Sequence, residues 1–257
     1  MQIRVRKQFF PRRLGDIFCF LLITVFFPIV AVFDVVVVVP AIHTPGEFMH
    51  SLIFTIAMFL IFNIQGNMLA AMMVDTSIDV CRKCILKCDH HCVFTGCCIG
   101  HYNVRYFALF LVYMFFGSLL SFLYLSFYLF WIHANTFRHI LSLYKMLCPV
   151  LMLVSGSRLD NFSLVFYNLN IIALVISSIL MVYHGIPLIK GGTSYERRCN
   201  YPYRKDLRSN LCAIFGKRMY LVWISPFISS ELLDDGVNWE ESSENAPLLG
   251  DAKIKYM

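Results

Sequence analysis

Charged side chains are scarce in this chain of 257 residues. Asp, Glu, Lys and Arg together make up 15% of it, whereas 58% of the residues are hydrophobic and Phe alone occurs 24 times. A soluble domain of this length could not remove so much apolar surface from water. The composition therefore excludes a soluble globular protein and favours an integral membrane protein.

Four apolar runs are long enough to cross a bilayer, which takes about 20 residues of helix. They are Ile17–Val39, Met49–Val74, Tyr106–Ile132 and Ser163–Ile189. The last three contain no Asp, Glu, Lys or Arg, and the first contains only Asp34. We predict four transmembrane helices, and expect the first to remain as an anchor because it lacks a clear signal-peptide cleavage site.

Lys and Arg are rare in two of the segments that join these runs. Pro40–Phe48 has none and Trp131–Asn161 has three, while the other 19 of the 22 lie in Met1–Leu14, Asp75–Arg105 and the tail from Lys190. The positive-inside rule places both termini and the loop between the second and third helices in the cytosol. The net charge of +6 is explained by this topology, so no nucleic-acid partner is expected.

This topology divides the chain into consecutive segments with different surroundings. They are a cytosolic basic N-terminus (1–16), the first two transmembrane helices (17–74), a cytosolic Cys-rich loop (75–105), the last two transmembrane helices with a lumenal loop (106–189) and a cytosolic C-terminal tail (190–257). The expected fold class is an all-α integral membrane protein with a small Cys-rich loop between its second and third helices.

The Cys-rich loop holds most of the side chains capable of chemistry. Six of the ten cysteines lie in it, namely Cys81, Cys84, Cys88, Cys92, Cys97 and Cys98. Cytosolic thiols stay reduced, so metal binding or nucleophilic chemistry is favoured over a set of disulfides.

The same loop contains the tetrapeptide Asp89-His90-His91-Cys92. A thiol is only slightly ionised at neutral pH, so it needs an imidazole to take its proton, and a carboxylate can orient that imidazole. A second His with flanking thiolates can bind zinc and hold the loop rigid. For a thiolate at a membrane surface, an acyl thioester is a natural electrophile.

The loop resembles the DHHC family of protein S-acyltransferases, at the stretch CRKCILKCDHHC (residues 81–92), at Cys98 and at Asn103. After the fourth run, TSYE (193–196) is similar to the family's Thr-Thr-x-Glu motif, and NLCAIFG (210–216) is similar to its C-terminal element. The resemblance implies a membrane enzyme with four transmembrane helices. Such enzymes transfer palmitate from palmitoyl-CoA to protein cysteines through an acyl-enzyme.

The resemblance also implies a role for each motif residue. Cys92 would be the acylated nucleophile, His90 its base, and Asp89 the group that orients His90. His91 would bind zinc together with Cys81 and Cys98, whereas Cys84 would belong to a second zinc ion. The residues that would support the active site are Thr193, Ser194, Glu196 and Asn210.

The chain lacks part of the family's Cys-rich domain. Family members carry a Cys-x-x-Cys pair and a His-Cys pair before the position of Cys81, but residues 63–78 contain no Cys or His. Two tetrahedral zinc sites need eight ligands. We therefore expect one composite zinc site, formed by Cys81, Cys84, His91 and Cys98, with Cys88 and Cys97 as alternative ligands.

The sequence thus predicts a protein S-palmitoyltransferase of the endoplasmic reticulum or Golgi membrane. Its expected cofactor is zinc and its expected acyl donor is palmitoyl-CoA. Its expected substrates are cysteine-containing proteins in or at the lipid bilayer. No particular Lys or Arg stands out as a ligand for CoA. Two alternatives remain open. The missing upstream ligands favour a pseudoenzyme or membrane adaptor, and the clustered thiols favour a membrane metal-binding or redox protein.

Overall fold

Helices make up most of the computed structural model of this chain. It describes residues 5–7, 9–77, 85–134, 144–145, 158–191 and 206–233. Within these ranges, four helices are long and apolar enough to cross a membrane: α1 (Leu14–Ile42), α2 (Phe48–Met73), α3 (Val104–Ile132) and α4 (Arg158–Ile189). They coincide with the runs selected from the sequence, so the predicted multi-pass helical membrane fold is confirmed.

Helix α1 is wider than a regular α-helix in two places. π-Helical turns occupy Leu22–Phe26 and Asp34–Val38, and each is followed by an α-helical segment that has proline as its second residue, Pro28 or Pro40. Proline lacks an N–H and its ring crowds the carbonyl four residues earlier. A widened turn before each proline lets α1 continue through both positions.

The long helices leave many large apolar side chains exposed. Examples spread over α1 to α4 are Phe18, Phe54, Phe116 and Ile179. An exposed apolar surface of this extent would be unfavourable in water, whereas lipid tails are themselves apolar. The exposure therefore agrees with helices that lie in a bilayer.

The chain falls into two compact units. One comprises Met1–Ile17, Asn67–Ala108 and Tyr183–Met257, and the other comprises Phe18–Gly66 and Leu109–Val182. In the second unit, an apolar core forms around Val38, Leu125, Leu129, Leu164 and Tyr167. The first unit contains the candidate site residues that the structure describes, namely Asp89, His90, His91, Cys92, Cys98 and Asn210.

A small hairpin interrupts the helical fold between α2 and α3. Strand β1 (His90–Cys92) pairs antiparallel with strand β2 (Cys97–Ile99), and the register sets His90 opposite Ile99, His91 opposite Cys98 and Cys92 opposite Cys97. Gly96, in the turn, has a φ of +60°, and a Cβ on it would lie 2.5 Å from Pro11 Cβ. Only glycine fits this turn beside the N-terminal segment. The expectation of an all-α chain thus omitted this hairpin.

Asn103 ties the hairpin to the neighbouring helix. Its side chain is fully buried, and its Nδ2 donates to the carbonyls of Ala71, in α2, and Cys98, in β2, at 3.0 Å each. Its Oδ1 accepts from the backbone N–H of Gly100 at 2.8 Å. These bonds hold β2 against the end of α2, just before α3 begins.

Arg6 makes a second connection to the same strand. Its Nη2 donates to the carbonyl of Cys98 and its Nε donates to the carbonyl of Val74, both at 3.1 Å. Its backbone N–H also donates to the carbonyl of Met73 at 2.8 Å. The N-terminal segment therefore fixes the hairpin from a second direction.

We predict that Asn103→Ala destabilises the protein by about 1–3 kcal/mol, because it removes three hydrogen bonds of a buried side chain, including the acceptor of the Gly100 N–H. The change is measured as a lower midpoint of thermal unfolding in detergent. Asn103→Asp, of the same size, keeps an acceptor but loses both N–H donors, and we expect it to be destabilised as well. An unfolding midpoint equal to that of the wild type in both variants would contradict the role of Asn103.

Candidate functional site

The alternation of strand β1 separates the two histidines of the motif. Successive side chains in a strand point to opposite faces, so His90 and Cys92 share one face and His91 lies on the other. Burial follows this alternation, since Cys92 is only 4% exposed whereas His91 is exposed. One imidazole thus lies on the face of the candidate nucleophile, and the other lies on the opposite face beside Cys98.

Asp89 and His90 form a close pair at the start of β1. Asp89 Oδ2 lies 2.7 Å from His90 Nδ1, and the carboxylate is buried. With Nδ1 donating to the carboxylate, the neutral imidazole carries its lone pair on Nε2. This is the tautomer that can accept a proton from a thiol. The pair therefore has the arrangement of a general base and the group that orients it.

The thiol of Cys92 needs such a base. Burial raises its pKa, and hydrogen bonds from Thr95 and from the backbone of Phe94 oppose that increase only in part. Because the neutral thiol is favoured, the reactive thiolate is scarce at neutral pH. An imidazole that accepts the thiol proton from the same face of β1 would remove this limitation.

A histidine from α4 contacts both Asp89 and His90. The sequence did not indicate it as a site residue. His184 is buried, its Nδ1 lies 3.3 Å from Asp89 Oδ2, and its ring stacks on that of His90 with centroids 4.2 Å apart. The buried Phe107 ring packs edge-on against both imidazoles, at 4.9 Å and 5.2 Å. One signal in the sequence could have indicated His184. An ionisable residue in an apolar membrane helix is energetically costly and is usually kept for a function.

The opposite face of β1 gathers thiol groups around His91. Cys98 Sγ lies 3.6 Å from His91 Nδ1, and Cys88 contributes a thiol hydrogen bond to Cys98. On the other side of the ring, His91 Nε2 lies 3.5 Å from Asp16 Oδ2 at the start of α1. A carboxylate on the second ring nitrogen is the usual companion of a histidine that binds a metal through the first.

These residues fit a zinc ion. Zinc binds sulfur at about 2.3 Å and imidazole nitrogen at about 2.0–2.1 Å in a tetrahedron, so a sulfur and a nitrogen ligand lie about 3.5 Å apart. The separation between Cys98 and His91 matches this distance. The hydrogen bond from Cys88, and to a smaller extent His91, lowers the pKa of Cys98 to about 5 against the effect of burial, so its thiolate is available as a ligand.

Several sequence-selected residues lie outside the described part of the chain, namely Cys81, Cys84, Thr193, Ser194 and Glu196. Cys97, an alternative ligand, is buried on the Cys92 face, where its Sγ contacts Thr95 Oγ1 at 3.4 Å and the carbonyl of Ala71 at 3.6 Å. The register thus separates Cys97 from His91, whereas Cys88 contacts Cys98 on the His91 face.

Asn210 lies at the end of α4 rather than in the hairpin. It is a buried residue of helix α5 (Leu207–Phe215), and its Nδ2 donates to the carbonyl of Ile189 at 3.0 Å. The neighbouring Gly191 has a φ of +80°, and a Cβ there would lie 2.4 Å from Asn210 Oδ1. Asn210 therefore caps the helix that carries His184, while its support of the active site stays a prediction.

Comparisons with known proteins agree with the motif. Residues 76–200 match the DHHC palmitoyltransferase family. The chain is 32% identical over 174 residues to the probable palmitoyltransferase ZDHHC24 of Mus musculus, a match that covers 63% of this chain and 58% of the relative. It is 32% identical over 154 residues to the palmitoyltransferase ZDHHC22 of Mus musculus, covering 58% of this chain and 59% of the relative.

A plant relative extends the similarity. The probable protein S-acyltransferase 12 of Arabidopsis thaliana is 31% identical over 165 residues, which cover 61% of this chain and 50% of the relative. In all of these matches the chain spans less than two thirds of the relative's own length. The motif, the four apolar helices and these matches together support the DHHC family, whose model matches residues 76–200.

Proposed function

We propose that the chain is a protein-cysteine S-palmitoyltransferase that works through an acyl-enzyme thioester on Cys92. The observation that carries this proposal is the Asp89–His90 pair, 2.7 Å apart, on the face of β1 that also bears Cys92. A buried thiol with a raised pKa, a base and an orienting carboxylate together provide an activated nucleophile. The palmitoyltransferase relatives support the same activity.

In the first half-reaction, His90 Nε2 takes the thiol proton of Cys92 and the sulfur attacks the thioester carbonyl of palmitoyl-CoA. The new bond joins Cys92 Sγ to the acyl carbon, and the bond from that carbon to the CoA sulfur breaks. The imidazolium of His90 returns its proton to the departing CoA thiolate. Asp89 stabilises the positive charge that His90 carries between these two events.

In the second half-reaction, the thiol of a substrate protein replaces CoA. His90 takes its proton, the substrate sulfur attacks the acyl carbon, and the bond between that carbon and Cys92 Sγ breaks. The proton then passes from His90 to Cys92, which regenerates the enzyme. The same base thus serves both directions of proton transfer.

The zinc site of the proposal lies on the opposite face of β1 and has a structural role. Its ligands are Cys81, Cys84, His91 and Cys98, and one ion is proposed because the upstream ligand pairs are missing. Bound zinc would supply rigidity by joining both strands of the hairpin. His91 and Cys98 support this arrangement, since they are directly opposite each other in the register.

The remaining parts of the proposal concern the surroundings of the enzyme. Both termini and the Cys-rich loop face the cytosol, in the endoplasmic reticulum or Golgi membrane. Long-chain acyl-CoA approaches from the basic cytosolic side, with its acyl chain among the membrane helices. The acceptors are cysteines of membrane or membrane-associated proteins. The distribution of Lys and Arg supports this orientation.

Auto-acylation tests the proposed activity directly. We expect the chain in membranes to incorporate a clickable palmitoyl group from its CoA ester as a hydroxylamine-sensitive label, and Cys92→Ser to lose that label. Cys212→Ser, which removes a thiol that contacts Met219 instead, is expected to label like the wild type. Folded wild-type protein with no more label than Cys92→Ser would contradict the proposal and favour a non-catalytic adaptor.

The general base is tested by His90→Ala. Loss of the proton acceptor is expected to reduce the rate of auto-acylation by about 100-fold or more, because general bases contribute roughly 10²–10⁴. The initial rate of label incorporation measures this effect. His43→Ala removes a histidine that bonds Tyr124 instead, and its rate should equal that of the wild type. A similar rate in both variants would mean that His90 is not the base.

Metal analysis tests the zinc site. We expect about one zinc ion per folded chain, and a clear loss of zinc in Cys98→Ser, with a lower midpoint of thermal unfolding. Cys212→Ser should retain the wild-type zinc content. The finding of two tightly held zinc ions per chain would reject the single composite site.

A further inference from the structure

His184 contacts two members of the proposed catalytic motif although it lies on the last transmembrane helix. It is 6% exposed, and it lies near the C-terminal end of α4. We propose that His184 is a positioning residue, which fixes the Asp89 carboxylate and the His90 ring so that His90 faces Cys92. This inference rests on the S-palmitoyltransferase activity proposed above.

The polar contacts of Asp89 provide the first part of the argument. Asp89 Oδ2 lies 2.7 Å from His90 Nδ1 and 3.3 Å from His184 Nδ1. A carboxylate that is 8% exposed needs donors to offset its lost hydration. Two imidazole nitrogens close to the same oxygen restrict its rotation more than one would. His184 therefore keeps Asp89 in the position from which it orients His90.

Ring packing provides the second part of the argument. The rings of His90 and His184 stack at 4.2 Å with an angle of 29° between their planes. Phe107, which is 1% exposed, packs edge-on against both of them. The imidazole of His90 therefore lies between defined surfaces and cannot rotate freely. Its Nε2, the nitrogen that accepts the thiol proton, is held in one direction.

The same three polar side chains could be considered as a metal site, because one ligand atom from each of Asp89, His90 and His184 lies within 4.8 Å of the others. The geometry of the rings argues against this. A metal ion must lie close to the plane of each imidazole that binds it, at about 2.0–2.1 Å from the nitrogen. In two stacked rings the nitrogen lone pairs point along parallel lines. They do not converge on one point where a metal ion could lie. The contacts are thus those of a hydrogen-bonded group.

The placement of His184 has a mechanistic consequence. Its backbone belongs to α4, whereas Asp89 and His90 belong to the loop between α2 and α3. The position of the base is therefore set by a helix as well as by the hairpin. Errors of about 1 Å at reacting groups can reduce rates by roughly 100-fold, so a contact that fixes His90 has a large effect on the rate.

Three substitutions separate the hydrogen bond from the packing. His184→Asn keeps an N–H donor near the position of Nδ1, His184→Phe keeps a flat ring without a donor, and His184→Ala removes both. The initial rate of auto-acylation is measured as a function of palmitoyl-CoA concentration, and thermal unfolding is recorded for each variant. Ser178→Ala, on the same helix, is the control because Ser178 Oγ donates to the carbonyl of Leu174 within that helix.

We expect kcat to fall by about 10- to 100-fold in His184→Ala and His184→Phe, in line with a misplaced base. KM for palmitoyl-CoA should stay within twofold, about the scatter expected when binding is unchanged. His184→Asn should recover most of the rate. A His184→Phe variant that folds and works at the wild-type rate would overturn the positioning role, as would a loss of rate that His184→Asn does not rescue.

A second measurement keeps the two proposals separate. If the wild type itself forms no acyl-enzyme, the proposed function fails. The positioning role of His184 is then tested by itself, through the alkylation of Cys92 by iodoacetamide. Mass spectrometry of the peptide that contains Cys92 measures the extent of alkylation. We then expect slower alkylation of Cys92 in His184→Ala and His184→Phe, with recovery in His184→Asn. Equal alkylation rates in all variants would overturn the inference about His184.

Discussion

The alternation of side chains along β1 is the constraint on which the site depends. In this short strand, His90 and Cys92 face one way and His91 faces the other, beside Cys98. The two adjacent histidines thus have different neighbours, because a strand turns each successive side chain to the opposite face. The face that carries Cys92 is buried at that residue, whereas His91 on the other face is exposed. A helix would have set successive side chains about 100° apart around its axis, so that His90 and Cys92 would not share a face.

The contacts around the hairpin explain how so short a strand keeps its register. Two strands alone are marginally stable in water. Here Asn103 bonds the carbonyl of Cys98 from one side, and Arg6 bonds the same carbonyl from another. A zinc ion between the strands would add to these bonds. The N-terminal segment and the loop before α3 thus stabilise the geometry that the chemistry requires.

Much of the fold could be predicted from the sequence because the determining signals are local. The length of each apolar run gives the helices, and the distribution of Lys and Arg gives the expected orientation. The spacing within Asp89-His90-His91-Cys92 and its flanking cysteines carries the resemblance to the family. The division of roles between the histidines was implied by that resemblance, and the hairpin supplies its physical basis.

Other contacts were decided only by the tertiary structure. His184 meets Asp89, and Asp16 meets His91, across long stretches of chain. The sequence could not indicate these pairs, since a helix that is apolar on all sides shows no stripe from which its buried face can be read. The sequence by itself determined the helices, the motif and the resemblance to the family. The tertiary structure decided which distant side chains hold that motif in place, because such contacts depend on how the helices are rotated and paired.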